Sequence, residues 1–75
     1  MPIAGAAGTE SGPAVADCPV GKVVYGGGAK IDTSAGSAAI NDSYPSDNNT
    51  WTAVGVVVTG PAAGTVTAYA VCGNP

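Results

Sequence analysis

The sequence has 75 residues and a formal net charge of −3. Only 9 % of the residues are charged, against roughly 25 % in an average soluble domain. This length accommodates one small domain that buries only about 60 % of its unfolded surface, so we expect a staple or a partner to support the core. Histidine and arginine are absent, which removes the usual general base, the commonest zinc ligand and a basic surface for nucleic acid. We therefore expect no catalytic residues, no metal or cofactor and no nucleic-acid partner.

The sequence also gives no sign of a membrane segment. No apolar run reaches the length of about 18 residues that a transmembrane helix requires. Residues 1–5 lack the basic and apolar regions of a signal peptide. We therefore expect either that the chain is not exported by that route or that a methionine has replaced a leader.

Residues 1–14 are predicted to form an arm that precedes a β domain at residues 15–75. The arm consists mostly of Gly, Ala, Ser, Thr and Pro and shows neither helical nor strand periodicity. Two hypotheses remain open: a disordered terminus, or an extended arm that adds backbone hydrogen bonds to the sheet edge of a neighbouring subunit. In the second hypothesis Pro2 and Ile3 contact the partner.

From Val15 onward, β-branched residues alternate with turn residues. The predicted strands are residues 15–18, 20–25, 29–32, 38–44, 50–59 and 65–72. The glycines at 26–28 indicate a bulge, a bend or a close backbone contact. Turns are predicted at 33–37 and 46–49, and a five-residue hairpin loop at 60–64. The fold class is therefore all-β: a small single-domain sandwich or barrel of about five or six short antiparallel strands, with an extended N-terminal arm.

The last two strands differ in how their side chains alternate. Along 65–72, one face is small and apolar, which predicts close packing: it carries Val66, Ala68, Ala70 and Cys72. Along 50–58 both faces are largely apolar, and one of them carries Val54, Val56 and Val58. A strand that is apolar on both faces is typically buried on both sides. We therefore expect this surplus face to contact another subunit in a homo-oligomer, of which a trimer is the favoured form.

The two cysteines are far apart in the sequence, at Cys18 and Cys72. A structural disulfide is favoured over two buried free thiols, because redox pairs use close spacing and zinc sites need four ligands. Such a bond would close a loop of about 55 residues and contribute on the order of 4 kcal/mol. It also predicts a location outside the reducing cytosol.

Aromatic residues and loop carboxylates are the remaining candidates for contacts. Trp51 is interpreted as the one large core side chain, with a loop contact as the alternative. Tyr44 is the better contact candidate because Pro45 holds it at a loop edge. Asp32 and the Asp and Asn residues at 41–49 match no calcium-binding motif and are typical of turns. Gly21 and Lys22 do not fit the phosphate-binding loop G-x-x-x-x-G-K-(S/T), and the glycines at 26–28 do not fit the dinucleotide-binding pattern G-x-G-x-x-G.

Five short motifs follow one another between residues 14 and 73: C-P-V-G-K at 18–22, V-Y-G-G-G-A at 24–29, S-Y-P at 43–45, W-T at 51–52 and T-V-T-A-Y-A-V-C at 65–72. In this order they resemble the small Cys-bounded β module of actinobacterial secreted proteins and actinobacteriophage structural proteins. The resemblance implies a structural or adhesive role without enzymatic activity. Longer members often carry a collagen-like stretch before the module, whereas only a short arm precedes it here.

Two functions are consistent with these features. The favoured function is a virion structural protein that decorates the outside of a phage head as an oligomer and contacts the capsid or another surface protein through the arm and the valine-rich face. The alternative is a secreted bacterial surface or fibre-tip adhesion module that binds carbohydrate or protein. Both hypotheses place the protein on a virion surface or outside the cell, and neither involves a membrane.

Overall fold

A computed structural model describes all 75 residues, and every element in it is a β-strand. The four strands are β1 (Pro2–Gly5), β2 (Ala14–Asp17), β3 (Val23–Asp47) and β4 (Thr50–Gly73). Strands β1, β2 and β3 each pair with β4, and all three pairings are antiparallel. The predicted all-β, antiparallel fold is confirmed. No helix is present that could cross a membrane.

Strands β3 and β4 form one long hairpin whose tip is Asn48-Asn49. The predictions of a turn at 33–37 and a hairpin loop at 60–64 are wrong, because both segments stay in the ladder: Thr33 is opposite Gly64, and Ala35 is opposite Ala63. Register shifts in this region absorb the extra residues, so turn-forming residues are accommodated as bulges instead of reversing the chain. The structure therefore has two short and two long strands, not five or six short ones.

The long hairpin bends at these bulges. A straight strand of 24 residues would extend about 80 Å, yet the longest dimension of the molecule is 42 Å. Gly36 lies in the bend with a φ of 65°, and a Cβ there would collide with the Thr59 carbonyl oxygen. The bend separates a base half (residues 23–35 of β3 and 62–73 of β4) from a tip half (residues 37–47 and 50–59).

Folding at the bend brings the tip of the hairpin back to its base. The Val24 amide at the start of β3 donates to the Asn48 carbonyl at 2.8 Å, and the Cys18 amide donates to the Asn49 carbonyl at 2.7 Å. Cys18 is also bonded to Cys72 near the end of β4. The disulfide therefore fastens the segment beside the hairpin tip to the end of β4.

Residues 1–17 run antiparallel to β4 on the edge away from β3. Strand β1 pairs with Ala62–Thr65, Val57 exchanges hydrogen bonds with Gly8 and Thr9, and β2 pairs with Thr50–Ala53. The predicted arm therefore lies in this structure on the sheet of its own chain. Residues 1–14 contribute to the same core as residues 15–75.

The core lies between the inner faces of the two halves and consists of small side chains. Its buried cluster contains Ile3, Ala14, Ala53, Val57, Ala62 and Val66. The halves approach closely because Gly55 has no side chain: a Cβ there would lie 2.9 Å from Cγ2 of Val66 and 3.1 Å from Cδ1 of Ile31. The predicted inner face of residues 65–72 is confirmed at Val66, which is fully buried.

Candidate functional site

The predicted disulfide between Cys18 and Cys72 is present, with a Cα–Cα distance of 5.8 Å. Neither cysteine is left free for redox chemistry. Cys18 is buried with only 7 % exposure. A buried bond that joins distant parts of a small domain is a structural staple, and such bonds persist in oxidising compartments. The disulfide thus supports a location outside the reducing cytosol.

The outer surface of the base half carries the most exposed aromatic residues. Tyr69 and Val71 alternate with the buried face of β4 and are 50 % and 60 % exposed. Tyr25 is 65 % exposed; its ring lies on Gly73, and its hydroxyl contacts the Asn74 carbonyl. We call these three residues, Tyr25, Tyr69 and Val71, the tyrosine face.

Glycines leave the tyrosine face open. Gly28 is directly opposite Tyr69, and Gly26 is directly opposite Val71. Directly opposite side chains normally cover one another across an antiparallel pair. Since both partners here lack a side chain, the Tyr69 ring and Val71 stand uncovered above a floor of backbone. Gly27 between them points inward and accommodates the Trp51 ring. The triple glycine therefore has two roles: it exposes the tyrosine face on the outside and makes room for Trp51 on the inside.

The charges of the protein are divided unevenly between the two halves. Lys22, which contacts Asn74, and Lys30, which pairs with Asp32 at 3.4 Å, border the tyrosine face. The other four acidic residues are on the tip half or on the segment paired with it: Glu10, Asp17, Asp42 and Asp47. The base half, together with Lys22 immediately before β3, thus has two lysines and one aspartate, for a formal charge of +1. The tip half has −4, which together make the net charge of −3.

The outer surface of the tip half carries a second apolar area. Val15, Tyr44 and Val58 are 58 %, 47 % and 57 % exposed. Val54 and Val56 lie on the same face and are half-buried. We call this set the valine face: Val15, Tyr44, Val54, Val56 and Val58. A hydrogen bond from the Asn41 amide to the Glu10 carboxylate connects the strands on either side of β4.

The two faces point in opposite directions. Thr52 lies between Val15 and Tyr44 in the ladder of the tip half, and Tyr69 lies in the ladder of the base half. The inner sides of both halves meet at the core, where Val57 and Val66 are buried. The tyrosine face and the valine face therefore lie on opposite outer surfaces, and one flat partner cannot cover both.

The other predicted contact residues have different environments. Ile3 is 2 % exposed and belongs to the core of its own chain, whereas Pro2 is exposed opposite Thr65. Trp51 is half-buried, with its ring on Gly27, and its Nε1 donates to Ser43 Oγ at 2.8 Å. Neither Ile3 nor the Trp51 ring is part of an open surface in this structure.

No three His, Cys, Asp or Glu side chains come together in an arrangement that could hold a metal ion. One groove, lined mostly by apolar residues, lies beside Met1, Ala14 and Val66. A larger and more polar groove lies between Val24 and Asn48, where the hairpin tip meets the base. The open surfaces are therefore faces and edges of the sheet, which are suited to contact with extended partners.

Over 59 residues, or 79 % of its length, the chain is 41 % identical to shufflon protein B' of Escherichia coli. The matched segment makes up 13 % of that relative, so the chain spans only a small part of its length. A segment like this one thus also occurs inside a much longer protein. No family model and no solved structure matches the chain.

The tyrosine face was not predicted from the sequence, although a signal for it was present. Tyr69 and Val71 are out of phase with Val66, Ala68 and Ala70, so alternation alone places them outside. Their exposure depends further on Gly26 and Gly28 being their partners. That pairing is set by the register of a long-range hairpin and its bulge at Tyr25, which local patterns do not specify.

Proposed function

We propose that this protein is a non-enzymatic, extracellular binding module that is displayed on a larger assembly and binds carbohydrate through the tyrosine face. The observation that carries the proposal is the pair of exposed tyrosines, Tyr25 and Tyr69, above a floor of glycines. Such rings combine an apolar face with a polar tip that forms hydrogen bonds. Sugars likewise combine apolar C–H surfaces with hydroxyl groups.

The surroundings of the tyrosine face favour a polar, extended ligand. Lys30, Asp32 and Thr67 follow Tyr69 along the same surface and offer donors and acceptors. Lys22 lies at the other end, next to Asn74. Because both lysines of the protein are on this half, acidic sugars are attracted to it more strongly than to the tip half.

The disulfide and the similarity to a shufflon protein both support display outside the cytosol. A stapled fold suits a small module exposed to an extracellular environment, because the bond limits unfolding where no cellular machinery restores the chain. The match to 13 % of a longer relative supports a module that is carried by a larger protein or assembly.

Decoration of a phage capsid is the second candidate, and the valine face favours it. Val15, Tyr44 and Val58 form an exposed apolar area that a capsid or a second copy of the chain, for example in a trimer, would cover. The N-terminal segment contributes less to this candidate, since Ile3 is in the core of its own chain. Under this proposal the valine face makes the essential contact.

Two tyrosines provide a matched pair of test variants. Tyr69 and Tyr44 are 50 % and 47 % exposed on opposite faces. We expect Tyr69→Ala to weaken binding on an array of neutral and acidic glycans by about tenfold or more, while Tyr44→Ala binds like the unaltered protein. Co-sedimentation with purified phage heads tests the second candidate. Under that candidate Tyr44→Ala should weaken binding to the heads, while Tyr69→Ala binds them like the unaltered protein. Equal glycan binding by both variants and the unaltered protein would rule out the tyrosine face as the site.

A further inference from the structure

The edge of β4 that faces away from β3 is only partly occupied. Met1 and β1 cover it up to Val66, and Glu10 and β2 cover residues 50–56. On this edge, opposite to β3, no strand pairs with β4 from Thr67 to Gly73. A vacant position one strand wide therefore lies next to the last seven residues of β4.

The backbone groups at this vacant position are arranged to receive a strand. Val66 and Met1 exchange two hydrogen bonds, at 2.7 and 2.9 Å, so Val66 directs its N–H and C=O toward this edge. In an antiparallel ladder, alternate residues direct their N–H and C=O to the same side. Ala68, Ala70 and Cys72 therefore direct theirs to the same edge, where no strand is present to pair with them.

An apolar groove next to the vacant position could receive a side chain of an added strand. A groove of about 270 Å³ adjoins it and is lined by Met1, Pro13, Ala14, Val15, Val66, Thr67 and Ala68. Ala68 is half-buried and packs against the core cluster. An added strand would thus place alternate side chains over an apolar floor and leave the others in solvent.

The outer edge of β3 carries features that prevent pairing with a further strand. Its ladder has six register shifts and contains Pro45. It also carries four charged residues, Lys30, Asp32, Asp42 and Asp47. Bulges, proline and charge are the features by which proteins prevent a sheet edge from pairing with another chain. The edge of β4 from Ala68 to Cys72 has none of them.

We propose that this slot, defined by Ala68, Ala70 and Cys72 on β4 and by the groove beside them, accepts one further β-strand that continues β1 beyond Met1. The occupant is the polypeptide that precedes the module when the module is part of a longer chain. An amide at the Met1 nitrogen donates to Val66 just as the amino group does, so the strand runs on into the slot. The module would then be joined to its carrier by a sheet and not by a flexible linker.

The register fixes the sequence that such a strand needs. Since Met1 is opposite Val66, the second and fourth residues before Met1 fall opposite Ala68 and Ala70. These two residues face inward and should be apolar, while the residues between them are exposed. A five-residue extension Thr-Val-Thr-Val-Thr meets this requirement, and Gly-Ser-Gly-Ser-Gly is the matched control of equal length.

Amide hydrogen exchange of the full chain with each extension tests the proposal. We expect the Ala68 and Ala70 amides to exchange at least about tenfold more slowly with the Thr-Val extension than with the Gly-Ser extension or with none. The Cys72 amide should not change, because it lies opposite the sixth residue before Met1 and the extension has five. Equal exchange in all three proteins would overturn the proposal. So would slow exchange in the unextended chain, because the edge would then already be closed. Glycan binding has no part in this measurement, so the proposed function can fail independently.

Discussion

Removing the disulfide is expected to destabilise the protein severely. Cys18 and Cys72 are 54 residues apart in the sequence. In the chain-entropy model, opening a loop of this size costs about 4 kcal/mol at 25 °C. Small domains have total stabilities of about 5–15 kcal/mol, and the core here contains only six clustered buried residues. The Cys18→Ala, Cys72→Ala double variant should therefore retain a small part of the original stability.

Guanidinium unfolding, followed by the fluorescence of Trp51, measures this loss. The Trp51 ring lies on Gly27 between the two halves, so its signal reports on their separation. With a denaturant dependence of about 2 kcal/mol per molar, the midpoint should fall by about 2 M. Reductant should lower the midpoint of the unaltered protein equally and leave the double variant unchanged.

The site of weakening is also specified by the structure. The Val24 and Cys18 amides donate to the hairpin tip at Asn48 and Asn49. In the double variant they should exchange with solvent before the amides of the hairpin interior do, because the staple holds this junction closed. A loss below about 1 kcal/mol, or uniform exchange along the chain, would show that the disulfide does not hold the tip against the base.

Three further substitutions, with Gly8→Ala as a control, test the packing and the bend. Ile3→Ala should cost about 2–4 kcal/mol because the side chain is buried in its own core; a loss that varies with protein concentration would show that Ile3 contacts a second copy. Gly27→Ala should cost about 1–3 kcal/mol and change Trp51 fluorescence, because a Cβ there collides with the ring; an unchanged thermal midpoint would contradict this contact. Gly36→Ala should cost at least about 1–3 kcal/mol, because φ is 65° at the bend and a Cβ there would collide with the Thr59 carbonyl oxygen. Gly8→Ala, also at a positive φ but with no neighbour near the added Cβ, measures the effect of φ alone; equal losses in the two variants would contradict the collision at Gly36.

The sequence predicted those features that depend on local patterns. The abundance of valine and threonine predicted the all-β class, and alternation predicted the inward face of β4 at Val66. The spacing and number of the cysteines predicted the staple. Each of these features depends on side-chain chemistry or on a period of two residues along one strand, which a single sequence displays directly.

The features that local patterns missed all depend on pairing between distant residues. The segments 33–37 and 60–64 have the composition of turns but pair with one another, so the ladder overrides their local preference. The N-terminal segment has no strand periodicity, yet Gly8 and Thr9 pair with Val57 because the edge of β4 is available there. The tyrosine face arises from the same long-range register, which places glycines opposite Tyr69 and Val71.

The most direct test of the proposed function maps a bound glycan onto the protein surface. A glycan selected on the array is titrated into the isotopically labelled protein while backbone amide shifts are followed by NMR. Binding at the tyrosine face should shift the amides of Tyr25, Gly28, Tyr69 and Val71 and leave those of Tyr44 and Val58 unchanged. Shifts confined to the valine face, or no shifts at a glycan concentration that saturates the array signal, would show that the tyrosine face is not the glycan site.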